Sequence, residues 1–219
     1  MNLLKDNVMK IKNILIAAVA LVASQTAVAS PNLIVNGGFE SSTFSGPFTN
    51  YSAGSTSLSG WTIKTGSIDL INTYWQNASG SNYSIDLSGN EDGVIFQELN
   101  TTVNQTYSVS FSLAGNPDDP VVNEKIKFLQ VGLSNGPFYT FDTKGQTKTN
   151  MGWVTKSFEF IATDTTSKLF FASAQDSAFG PDLDNVSVTA VPEPETYAML
   201  LAGIALMAGI ARRRNNLLK

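Results

Sequence analysis

The sequence predicts an all-β protein: a single jelly-roll or similar β-sandwich domain, flanked by an N-terminal signal peptide and a C-terminal short transmembrane helix. Three observations carry that prediction. Between the ends lie about 160 residues of short apolar runs separated by turn clusters, with no stretch of helical period. Charged residues are 15% of the 219, below the roughly one quarter of ordinary globular chains, and Ser, Thr, Asn and Gly fill the difference. The charge is also sorted along the chain. Residues 30–191 hold 7 basic and 15 acidic residues, a net of −8, while half of the 14 Lys and Arg stand at the two ends.

At the N-terminus, Lys5, Lys10 and Lys12 precede an apolar run over 14–22, and Ala27-Val28-Ala29 follows. A positive region, a short hydrophobic region and a small-x-small site make a signal peptide over 1–29, read by signal peptidase at Ala27 and Ala29 and cut after Ala29.

Strands are expected over 32–35, 60–64, 67–71, 83–87, 94–99, 106–113, 125–133, 153–162, 168–173 and 183–189. The clearest is 106–113, where Tyr107, Val109, Phe111 and Leu113 alternate with Ser and Thr, the pattern of a half-buried antiparallel strand. Over 153–162 the apolar phase shifts between Trp153 and the later Phe158, Phe160 and Ala162, which predicts a bulge or a bend. No Pro-rich linker or internal repeat interrupts the body, so residues 30–190 form one domain.

The last segment, 191–219, has a different composition. Pro192-Glu193-Pro194 leads into an apolar stretch over 197–211, closed by Arg212, Arg213 and Arg214. That stretch is shorter than the roughly 20 residues of an ordinary spanning helix, and the Arg cluster assigns its end to the cytoplasmic side. Order and spacing resemble the PEP-CTERM sorting signal of Gram-negative bacteria. The resemblance implies recognition by an exosortase, which removes the helix near the motif. It also implies a membrane-anchored precursor, held transiently in the inner membrane, that ends at the cell surface or in an extracellular, biofilm-type matrix. Pro192 and Pro194 keep the junction extended.

Two zeros exclude whole classes of chemistry. With no His and no Cys there is no Ser-His-Asp triad, imidazole or thiolate metal site, disulfide or thiol nucleophile. A net of −8 over the body repels nucleic acid. Gly132, Ser134 and Gly136 fit the G-x-S-x-G spacing, but that motif needs a strand–turn–helix setting and a His base; followed by Pro137, it reads as a hairpin loop. A glycosidase needs only two carboxylates, yet Glu98 and Glu159 read as single exposed-face residues, so no enzyme is expected.

The body has a resemblance of its own. The run Asn32-Leu-Ile-Val-Asn-Gly-Gly-Phe-Glu40 resembles the opening strand of galactose-binding-like jelly rolls, including many carbohydrate-binding modules. Segments 60–61, 84–89, 93–97, 107–116 and 183–188 follow in the matching order. The set is similar to the choice-of-anchor C family, and more distantly to a plant cell-wall family of unknown function. It implies a fold, a surface location and contact with carbohydrate or cell wall. In related modules the first and last motifs lie on neighbouring strands and often hold a structural calcium ion. Carried over, Glu40 and Asp184 match the carboxylates, Asn36 and Gly38 offer nearby oxygens, and Asp182 is a weaker candidate. Hard oxygen donors of this kind suit Ca²⁺; the alternative is that Glu40 and Asp184 cap surface turns.

Sugar contact calls for flat rings with amides beside them. Tyr74 and Trp75 sit between Asn72 and Asn77, Phe138 and Tyr139 follow the turn at Asn135-Gly136-Pro137, and Phe48 and Tyr51 lie in a Gly/Ser-rich loop. Trp61 and Trp153 lie in strand patterns and read as core. The function expected is that of a non-catalytic exported surface or matrix protein that contacts polysaccharide through Trp75, Tyr74 and Tyr139. The alternatives are a structural biofilm-matrix or coat protein without a specific ligand, and, further off, a β-sandwich glycosidase.

Overall fold

The computed structural model describes residues 30–120, 125–133, 136–192 and 194–217. The cleavage-site residues Ala27 and Ala29, and Glu193 of the sorting motif, lie outside the described residues. Eleven strands are described: β1 (Phe48–Ser52), β2 (Thr62–Thr65), β3 (Ser67–Ile71), β4 (Ser84–Asp86), β5 (Val94–Asn100), β6 (Thr106–Gly115), β7 (Ile126–Gly132), β8 (Phe138–Asp142), β9 (Val154–Ile161), β10 (Thr166–Ser173) and β11 (Pro181–Ala190). They form a six-stranded sheet in the order β1-β3-β4-β11-β6-β9 and a five-stranded sheet in the order β2-β5-β10-β7-β8. Each neighbouring pair whose register is described is antiparallel.

From β4 onward the chain is a jelly roll. Four strands, β4-β11-β6-β9, face four others, β5-β10-β7-β8, and the chain passes from one sheet to the other at nearly every connection. The antiparallel pairings put the connections leaving β4, β6, β8 and β10 at one end of the sandwich. That end gathers the described residues 87–93, 116–120, 143–153 and 174–180.

Alternation explains the core. On β6, Tyr107, Val109, Phe111 and Leu113 are buried and the intervening serines are not, so one face of the strand packs and the other meets water. The rings of Phe39, Trp61, Phe171 and Phe111 pass contacts across the interior at centroid distances of 5.8, 6.0 and 5.4 Å. Every residue of the buried cluster lies between Ile34 and Val188, and Pro31–Val191 is one compact unit. The body therefore carries its own core.

Three expectations about local structure are corrected. Residues 32–35 are not a strand: Leu33 donates one backbone hydrogen bond to Val188, and the Asn32 side chain caps the Ile34 and Val188 N–H groups. The bulge expected over 153–162 is absent from β9, whose register with β6 runs unbroken from Ile161 to Val154. The phase shift arises because Trp153 precedes the strand, next to Gly152 at φ +68°. The register breaks instead in β11, between Asp184 and Ser187, and between Ile63 and Thr65 of β2. Strands β1 and β8, missing from the expected set, are sheet-edge strands of 5 residues with largely exposed side chains, so little apolar pattern marks them.

Helix α1 (Pro194–Leu217) belongs to the other unit. Its proline stands at the first helical position, where a missing N–H costs nothing. Among the described residues no helix is long and apolar enough to cross a membrane. The apolar stretch 197–211 amounts to 15 residues, or about 22 Å of helix against a hydrocarbon core of about 30 Å. The expected transmembrane helix is thus a helix without the full apolar length of a span.

Candidate functional site

The first and last motifs of the body do meet. Asn36 takes φ +56°, and the next residue, Gly37, lies so close to β11 that an added Cβ would fall 2.0 Å from the Val186 carbonyl. Val186 N–H donates to the Gly37 carbonyl at 2.9 Å. This approach sits on the β11 register shift, where Asn185 also has positive φ, +49°. The turn then brings Glu40 to Asp184.

Between these carboxylates stands Ser81. Its Oγ lies 2.9 Å from Glu40 Oε1, 3.0 Å from Asp184 Oδ1 and 3.3 Å from the Gly38 carbonyl. A hydroxyl carries one hydrogen, so it satisfies one of these three oxygens at a time. Glu40 also accepts from the N–H groups of Asn82 and Tyr83 and from the Asn82 amide. Burial acts to raise the Glu40 carboxyl, but these hydrogen bonds outweigh it and hold the group below its ordinary range. For Asp184 burial wins: the carboxyl is pushed up to about 7, against hydrogen bonds from Asn185, Ser81 and Ala78 and with the Glu40 charge adding to the rise.

Of the four residues expected to ligate a metal, Glu40, Asp184 and Gly38 come together and Asn36 does not. Its Oδ1 accepts from Ser41 N–H, its Nδ2 donates to the Ser59 carbonyl, and its own carbonyl accepts from Trp61 Nε1. Asp182 is not at this site. Ser81 is the addition, 41 residues from Glu40 and 103 from Asp184, with nothing in the local sequence to mark it. Among the described residues no group of three or more His, Cys, Asp or Glu side chains could hold a metal ion. The two-carboxylate cage nonetheless suits a hard cation, because three acceptor oxygens gather around one hydroxyl, a donor set of oxygen alone.

A second arrangement lies on the six-stranded sheet, under the loop that follows β3. A cleft of about 250 Å³ is lined by Phe48, Asp69, Tyr74, Trp75, Asn90, Asn116, Asp118 and Phe179, among others. Clefts for drug-sized ligands usually run from about 300 Å³ upward, so this one has room for a single small ring. Tyr74 packs edge-on to Phe48 at 5.1 Å and donates from its hydroxyl to Asp118 at 2.7 Å. Lys148 sits 3.8 Å from the Tyr74 ring centroid and 2.8 Å from Asp118. Trp75 is buried at 5% exposure, part of the core, with Nε1 donating to Ser84 Oγ at 3.3 Å. The ring surface at the cleft belongs to exposed Phe48 and half-buried Tyr74, not to Trp75.

Tyr139 is elsewhere. It lies on β8 of the five-stranded sheet, packs edge-on to Phe111 at 5.2 Å and donates to the Ser157 carbonyl, so the expected trio is a pair plus a distant tyrosine. Trp61 is core, as its strand setting implied. Trp153 is only partly buried, and lines a second depression of about 310 Å³ with Ser110, Ser112, Thr155 and Asn185.

Behind the cleft floor runs a row of acids that the sequence does not group. Asp69 pairs in register with Asp86, and Asp86 with Asp182, so three carboxylates stand abreast on β3, β4 and β11. Asp86 accepts from Ser88 N–H, Gly180 N–H and the Asn116 amide. Burial still pushes it up to about 8.

A family model described as a protein of unknown function (DUF642) matches residues 32–189, and one described as the PEP-CTERM protein-sorting motif matches residues 190–215. Halomucin of Haloquadratum walsbyi is 30% identical over 205 residues, an alignment that covers 90% of this chain and 2% of that protein. The chain thus spans a small fraction of that curated relative. Among solved structures, TmCBM61 in complex with β-1,4-galactotriose aligns with a TM-score of 0.40 at 17% identity, covering 74% of this chain and 100% of that one. The CBM22-1 xylan-binding domain of Xyn10C from Paenibacillus barcinonensis aligns with a TM-score of 0.42 at 16% identity, covering 77% and 99%.

Proposed function

The chain belongs to the DUF642 family of proteins of unknown function, and from that premise we propose that it is a non-catalytic exported surface protein whose jelly roll contacts exopolysaccharide or cell-wall carbohydrate. Signal peptidase frees its N-terminus, and the PEP-CTERM motif at 190–215 hands it to an exosortase. Helix α1 then serves as a temporary anchor, with Arg212, Arg213 and Arg214 on the cytoplasmic side.

One observation carries the carbohydrate half. The cleft sets the exposed ring of Phe48 and the half-buried ring of Tyr74 beside the amides of Asn90 and Asn116, the combination of apolar face and hydrogen-bonding groups that a pyranose needs. Glu98 and Glu159, the carboxylates weighed for hydrolysis, stand on different sheets, which supports binding without turnover. Calcium has a structural part in this reading. Glu40, Asp184, the Gly38 carbonyl and Ser81 would hold it, tying the turn at 36–40 to β11. A second reading, a matrix or coat protein with no specific ligand, draws its support from the burial of Trp75.

The test uses residues 30–191, which carry their own core, stripped with chelator and then titrated with Ca²⁺ and with a glycan array. Calcium at about 100 times its Kd should add about 2.7 kcal/mol, a rise in Tm of about 5–10 °C for a domain of this size. A glycan should be retained by the native body and lost on Tyr74→Ala. No retention on any polysaccharide would leave the structural reading; no thermal shift would remove the calcium.

A further inference from the structure

The cleft beside Tyr74 is acidic as well as aromatic, and the cation beside it, Lys148, is already engaged. Asp69 and Asp118 line it, and Asp86 stands next to Asp69 in register. Lys148 is held by Asp118 and the Tyr74 ring. Asp69, only half buried, accepts a hydrogen bond from the Asn50 amide at 2.7 Å and makes no ion pair among the described residues. Walls of this charge repel uronate, sulfate and phosphate groups on a sugar, and the body's net of −8 does the same at longer range. Rings favour a positive group too, because the face of an aromatic carries negative charge. A saccharide acquires positive charge at neutral pH through an amino group that has not been acetylated.

We propose that this cleft binds an amino-sugar residue of a polysaccharide, its ring against Tyr74 and Phe48 and its ammonium paired with the Asp69 carboxylate. The inference rests on the carbohydrate reading above and names the ligand class of the same site. Charge-assisted hydrogen bonding gives the preference its strength, since among the described residues the half-buried carboxylate accepts from the Asn50 amide and makes no ion pair. The engaged Lys148 limits the site to one ammonium: it covers Asp118 and leaves Asp69 open.

The test titrates residues 30–191 with four probes near neutral pH: a glucosamine tetramer, the same tetramer N-acetylated, a cello-oligosaccharide and an oligogalacturonate. The glucosamine tetramer should bind about tenfold or more tighter than its acetylated form, and the oligogalacturonate should not bind. Asp69→Asn should erase the preference while leaving thermal unfolding close to that of the parent. Chemical re-acetylation of the bound probe, which needs no variant, should release it. Equal affinity for the two tetramers, or tighter binding of the acetylated one, would overturn the proposal and leave the carbohydrate reading in place. A preference that survives Asp69→Asn and vanishes in about 0.5 M salt would assign it to diffuse charge and overturn the site. Silence from all four probes in a full glycan survey would remove the carbohydrate reading itself.

Discussion

Asp182 and Asp184 stand two residues apart on β11, both wholly buried, and the fold treats them in opposite ways. Asp184 accepts from the N–H groups of Ala78 and Asn185 and from the Ser81 hydroxyl. Both oxygens of Asp182 are buried without a hydrogen-bond partner among the described residues. The difference follows from the ladder. Asp182 sits in regular pairing between Asp86 and Ala114, where the backbone N–H groups are consumed by neighbouring strands. Asp184 sits where the register breaks, and an irregular stretch frees N–H groups for a side chain to take. A buried acid is thus satisfied by irregular backbone and stranded by regular backbone, two residues away on one strand.

The largest effect should come from removing the satisfied acid. Asp184→Ala strips the acceptor from two backbone N–H groups and a hydroxyl, and leaves donors buried without partners. Such losses cost about 1–3 kcal/mol per group. A loss of about 3 kcal/mol is expected, seen in urea unfolding of the calcium-free body, with Tm lower by about 6–12 °C. A loss below about 1 kcal/mol would mean that water replaces the carboxylate at the bend.

Next comes the pH dependence of the acid row. Burial pushes Asp86 up to about 8 and Asp182 well above the ordinary carboxylate range, the latter with the Asp86 charge adding to the rise and the Lys127 charge opposing it. An unfolded Asp loses its proton near pH 3.9. Between about pH 4 and about pH 8 the native state therefore binds protons that the unfolded state has released, and stability must fall as pH rises. Glu40 acts in the other direction, but only below about pH 4.3, where the unfolded carboxylate protonates. Urea midpoints of the calcium-free body should fall across that window at up to about 1.4 kcal/mol per pH unit for each buried acid. Asp86→Asn should flatten the slope; an unchanged slope would assign it to other groups.

How legible all this was depends on how local the signal is. The jelly roll could be read because alternation such as Tyr107, Val109, Phe111 and Leu113 is a property of single strands. The meeting of Glu40 with Asp184 could be read from two motifs that resemble a family. Ser81 could not, since its role comes from a loop that folds back between them. The edge strands β1 and β8 carry too little buried surface to pattern their sequence. The row of Asp69, Asp86 and Asp182 exists only through register between three strands, and no single segment encodes it. Trp75 had the composition of a sugar-binding aromatic, yet the backbone turned its ring into the core and left Tyr74 half-buried beside it.

The smallest and sharpest prediction concerns the stranded acid. Asp182→Asn keeps the shape, removes one buried negative charge and supplies an amide that can donate to Asp86 across the ladder. Where Asp86 and Asp182 both hold their protons, the change should be within about 0.5 kcal/mol of neutral. As pH rises and Asp182 gives up its proton, it should stabilise the body by about 1 kcal/mol, since removing a buried charge relieves a desolvation cost. A destabilisation above about 2 kcal/mol in either protonation state would show that Asp182 draws support from the buried Lys127 across the end of the sandwich. Its difference from Asp184 would then be one of partner, not of satisfaction.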